Sequence, residues 1–209
     1  MYPTFTSANF QILCDELAVR DADLGHIIHT HGYPPMWTRN NSFETLVHII
    51  LEQQVSLASA LAALNQLRAR IGIVTPERVL TLSDEELKAC YFSRQKTAYV
   101  RGLAEALMTK QLDLIALETL PNDEVRRILC GLKGIGDWTA DVYLMFVLRR
   151  TDLFPLGDLA AVNALKTIKG LPKVTPRETL LTITQDWQPS RTIAAMILWH
   201  YYLSVRKKA

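Results

Sequence analysis

Gly134-Ile135-Gly136 constrains this chain more than any other feature, because it is set between two stretches of helical apolar spacing. Upstream, Val125, Ile128, Leu129 and Leu132 recur on one helix face; downstream, Trp138, Val142, Met145 and Leu148 do the same. The spacing predicts two short helices joined by a tight glycine hairpin, within residues 121–148. Glycine can take positive φ and lets a backbone approach a bulky neighbour. The first amides of the second helix have no intrahelical acceptors and lie at the positive end of its dipole. An anion, a phosphate above all, suits that place. Further on, Asp158 follows Gly157 in a loop and opens another helical stretch.

Helix punctuation recurs along the chain. Ser7 is expected to cap a helix through about Arg20, and Asp21 or Asp23 to open the next. Ser42 precedes a stripe of Phe43, Leu46, Val47 and Ile50; residues 55–71 form an Ala- and Leu-rich helix ended by Gly72. Thr75-Pro76-Glu77, Ser83-Asp84-Glu85-Glu86, Ser93, Pro121-Asn122, Thr175-Pro176 and Pro189-Ser190 are further starts. No segment alternates convincingly with period two, so the expected fold class is all-α.

The blocks LKGIGDWTA (residues 132–140) and FPLGD (154–158) resemble the helix-hairpin-helix and trailing Gly/Pro-Asp loop of a superfamily of DNA base-excision glycosylases. Within it the chain is most similar to the 3-methyladenine DNA glycosylase II branch. ILEQQVS (50–56), SRQKTAYVRGLA (93–104) and WQPSRTIAAMILW (187–199) also resemble that branch, in the same order. The resemblance implies two helical lobes with a DNA-binding cleft between them: residues 1–40 plus 155–209 in one, 41–154 in the other.

The resemblance also assigns residues. Asp158 is implied as the catalytic aspartate, which stabilises positive charge on the sugar as a base departs; by itself it could equally be a helix N-cap. Trp138 stands where strand-cutting relatives carry a nucleophilic lysine, which implies base removal without lyase chemistry. Trp138 and Trp199 are implied to line a pocket in which an electron-rich ring faces a cationic methylated purine; each also fits ordinary core packing. Val142 falls where close relatives can have a pocket tyrosine, and the adjacent Tyr143 points elsewhere on a helix. One of Gln53 and Gln54, with Gln54 preferred, is implied as the wedge that fills the gap left by a flipped base; a plain polar turn is the other reading. Lys133, Gly134, Ile135 and Gly136 are assigned to phosphate binding, with a monovalent cation at the hairpin carbonyls as a further implication. Asp137, an acid beside that site, is expected to turn away. Arg94, Lys96 and Arg101 read as a solvated face or as phosphate contacts.

Charge limits the partner. With 23 basic and 21 acidic residues the net charge is +2, so any DNA contact is local rather than a coat. Arg206, Lys207 and Lys208 read as a solvated tail. Cys14, Cys90 and Cys130 have no metal-ligand spacing, and no cysteine follows Cys130, so the iron–sulfur loop of some superfamily members is not expected. His48 and His200 read as core or rim residues. The N-terminal sequence lacks a secretory pattern and no apolar run spans a membrane.

Composition leads one to expect an intracellular protein, and the resemblance implies a monomer without redox cofactor or catalytic metal. It would hydrolyse alkylated purines out of double-stranded DNA. A helix-hairpin-helix protein that binds damage without catalysis, or a glycosylase for deaminated or oxidised bases, are the alternatives.

Overall fold

The computed structural model describes residues 2–206, and among these every named element is a helix. The helices are α1 (Phe10–Arg20), α2 (Ala22–His31), α3 (Phe43–Glu52), α4 (Leu57–Ile71), α5 (Pro76–Leu80), α6 (Asp84–Ala89), α7 (Arg94–Met108), α8 (Leu114–Leu117), α9 (Asn122–Cys130), α10 (Asp137–Phe146), α11 (Leu159–Ile168), α12 (Arg177–Gln185) and α13 (Arg191–Arg206). The all-α expectation holds.

Most starts follow from short polar side chains that take up orphan amides. Ser42, Ser56, Thr75, Ser83 and Ser93 each accept a backbone N–H from the first turn, and Ser83 with Glu86 closes a reciprocal capping box. Between Asp21 and Asp23 the structure chooses Asp21, which accepts from the amides of Asp23 and Leu24. At the N-terminus α1 starts at Phe10, not at Ser7. The Asn9 side chain accepts the Thr6 amide and donates to the Thr4 carbonyl, which holds the preceding residues in a turn. Likewise α4 begins at Leu57, because Ser56 rather than an earlier residue supplies its cap.

The chain divides into two compact units, Met1–Thr38 with Leu144–Ala209, and Arg39–Tyr143. The first unit packs α1, α2, α11 and α13 around Leu17, Leu24, Leu165, Ile193 and Ile197, all fully buried. The second packs α3, α4 and α7 around Leu46, Ile50, Leu64, Leu67 and Val100. Each such side chain contributes about 1.5–3 kcal/mol of burial.

The later boundary lies inside α10, between Tyr143 and Leu144, where the sequence suggested 154/155. Backbone pairing explains the difference. Phe5 N donates to Arg149 O (3.0 Å) and Thr151 N to Pro3 O (3.1 Å), flanking an antiparallel bridge between Thr4 and Arg150. The segment after α10 is thereby tied to the N-terminal residues. Arg206 ends the description; Lys207 and Lys208 of the basic tail lie outside the described residues.

Candidate functional site

The hairpin belongs to the second unit. Ile135 N donates to Leu132 O (3.1 Å), which closes the turn before α10. Gly134 sits at φ +91°, and a Cβ there would overlap the Tyr99 ring of α7. Both the conformation and the contact therefore demand glycine. Gly136 and Lys133 are exposed, and Ile135 is buried beneath them. The opening of α10 at Gly136 and Asp137 is thus exposed, with the cation of Lys133 close in sequence. Asp137 is exposed and its carboxylate lies 3.7 Å from Arg126 Nη1 on α9; Arg126 also binds the buried Asp141 at 2.5 Å. The acid at the mouth of the hairpin thus has a guanidinium beside it, which sequence reading did not identify.

The two glutamines separate in space. Gln53 is the C-cap of α3 and turns its carboxamide onto the hairpin, donating to Gly134 O (2.9 Å) and Thr139 Oγ1 (3.0 Å). Gln54 is exposed and held at φ +57°, a left-handed conformation that L side chains rarely adopt. A cleft of about 300 Å³ lies among Gln54, Lys96, Tyr99 and the backbone of residues 134–136. Lys96 does not belong to a solvated face: its ammonium donates to Leu51 O at 2.6 Å, and burial pushes its pKa down. Arg101 is taken up by Asp84 and the Leu82 carbonyl.

Trp138, in the first turn of α10, is half-buried, whereas Val142 and Tyr143 are buried. Tyr143 donates its hydroxyl to Asn41 Oδ1 (2.7 Å), and burial pushes its pKa well up. It is a core residue of this unit.

Asp158 belongs to the first unit and is half-buried. It is the N-cap of α11, with Oδ1 accepting from Ala161 N at 2.9 Å. The same Oδ1 accepts from Trp199 Nε1 on α13 at 2.8 Å. The cap and the catalytic reading thus concern one carboxylate, oriented by two neutral donors. Trp199 stacks in a tilted arrangement on Phe146, centroids 5.2 Å apart. The sequence reading missed Phe146 because it lies one position off the apolar stripe used to find the helix. It also missed the indole-to-carboxylate bond, since nothing local links residues 41 positions apart. His200 is engaged at its ring nitrogen with the His31 carbonyl (2.9 Å), a packing role.

The model of the HhH-GPD superfamily of base excision DNA repair proteins matches residues 47–189, and the chain belongs to that family. It is 30% identical over 165 residues to DNA-3-methyladenine glycosylase 1 of Schizosaccharomyces pombe, covering 77% of this chain and 72% of that protein. Among solved structures it is similar to the fission-yeast 3-methyladenine DNA glycosylase in complex with abasic DNA. There the TM-score is 0.81 and the identity 28%, over 91% of this chain and 95% of that one. It is also similar to a DNA-3-methyladenine glycosidase from Bacillus halodurans, with TM-score 0.77 and 28% identity over 100% and 95% of the two chains.

Proposed function

We propose that the protein is a monofunctional DNA glycosylase that removes N-alkylated purines, such as 3-methyladenine, from duplex DNA. The observation that carries this reading is the Asp158 carboxylate, fixed by the α11 amide of Ala161 and the indole of Trp199. The names of the relatives point the same way.

The chemistry follows from charge. As the C1′–N bond lengthens, its electron pair goes to the base and positive charge builds on the deoxyribose. A carboxylate about 4 Å away at an effective dielectric near 20 stabilises that charge by roughly 4 kcal/mol. This is worth on the order of a thousandfold in rate. Such a gain suffices for an alkylated, already cationic base, which leaves as a neutral molecule. Water then adds to C1′ and gives up a proton, with Asp158 orienting it. No electron is gained or lost overall, so the reaction calls for no redox cofactor. Trp138 offers no amine for a Schiff base, so the base is released and the abasic sugar is left in an uncut strand. Gln54 fills the vacated stack, the hairpin at 133–136 holds a backbone phosphate, and Trp138 and Trp199 supply aromatic surface for the charged base. The protein acts as an intracellular monomer.

The test is base release from methylated duplex DNA, read as strand breaks after hot alkali. Asp158→Asn keeps an N-cap of comparable quality, so the fold should persist while release falls about a thousandfold. Release by the variant at the native rate would remove Asp158 from the mechanism. Tight binding to methylated DNA without any release by the native protein would favour the non-catalytic damage-binding reading.

A further inference from the structure

We propose that Gln53 is a positioning residue, a strut that sets the height of the wedge turn above the phosphate-binding hairpin. This rests on the assignments of Gln54 and the hairpin made above.

Gln53 uses both N–H bonds of its carboxamide across 81 and 86 residues of sequence, to Gly134 O and Thr139 Oγ1. Its two acceptors are rigid. Gly134 is pinned against Tyr99 at positive φ, and Thr139 is 1% exposed in the first turn of α10. The next residue, Gln54, is the exposed one with left-handed backbone. From the other side Lys96 grips the Leu51 carbonyl in the last turn of α3. The turn that carries Gln54 is thus tied down just before its outermost residue, and one of the ties is the hairpin itself. A wedge must enter the stack in register with the phosphates that the hairpin holds. A two-point amide bridge provides that register before DNA arrives, so that no ordering cost falls on insertion. Glutamine suits the role because its terminal nitrogen has two donors; glutamate would set a negative oxygen against the Gly134 carbonyl.

The test uses the full chain and a duplex with a tetrahydrofuran abasic analogue beside 2-aminopurine, whose fluorescence rises when the stack is opened by a wedge. This readout needs no excision, so it stands apart from the success or failure of the glycosylase reading. Gln53→Met keeps the stem and removes both donors. It should weaken the fluorescence response about tenfold or more, the loss expected for two hydrogen bonds. In a Gln54→Ala background the same change should add nothing, since the strut acts through the wedge. Thr139→Ser, which keeps the acceptor, should restore the native response that Thr139→Val diminishes. Additive losses in the double variant would overturn the strut. An unchanged response in Gln54→Ala would overturn it through the wedge assignment.

Discussion

At the scale of single residues, the structure joins duties that a sequence keeps apart. Asp158 caps α11 and receives the Trp199 indole on the same oxygen. Trp199→Phe keeps a ring against Phe146 and removes that donor. A hydrogen bond to a charged group is worth about 1.5–3 kcal/mol, so base release should fall by about tenfold to a hundredfold. Single-turnover kinetics on methylated duplex would show it, and an unchanged rate would mean that the indole contributes packing only. Gly134 gives a second prediction. Gly134→Ala must accommodate both φ +91° and the Tyr99 ring, at a cost of about 2 kcal/mol or more in urea unfolding. Adding Tyr99→Ala should recover only part of that loss, because the backbone strain stays.

At the scale of elements, one acid organises several helix ends. Asp21 caps α2, accepts from Lys169 Nζ at the end of α11 (2.8 and 2.9 Å) and from Trp187 Nε1 before α13 (2.7 Å). Burial alone would raise its pKa. The Lys169 and Trp187 bonds and the Leu24 amide outweigh burial and hold it below the ordinary carboxylate value. A depressed folded value means that the stabilisation is complete above that ordinary value, ~4, and is lost as pH falls through the folded one. Lys169→Met should therefore lower unfolding free energy by about 2 kcal/mol at neutral pH. The gap from the native protein should narrow below about pH 4, as Asp21 takes up a proton in both. Thermal unfolding at a series of pH values would measure it; a gap independent of pH would mean that Lys169 acts through packing.

At the scale of the whole molecule, a net charge of +2 leaves little general attraction for DNA, so binding should depend on few phosphates. Lys133→Ala should weaken binding to any duplex and reduce the slope of log K against log salt by about 1, measured by fluorescence anisotropy. The helices of the chain were legible in the sequence because caps, breakers and apolar spacing act within a few residues, while its family was legible only through the resemblance of blocks such as LKGIGDWTA and FPLGD. Ser42, Ser83 and Ser93 mark their helices through amides three positions away, and Gly134-Ile135-Gly136 marks the hairpin through backbone freedom alone. The tertiary structure alone decided which glutamine turns inward, that Trp199 donates to Asp158, and that residues 149–151 pair with the N-terminal segment. These contacts link residues tens to more than a hundred positions apart. Their directions depend on how buried side chains fill space together, and no local rule of spacing carries that.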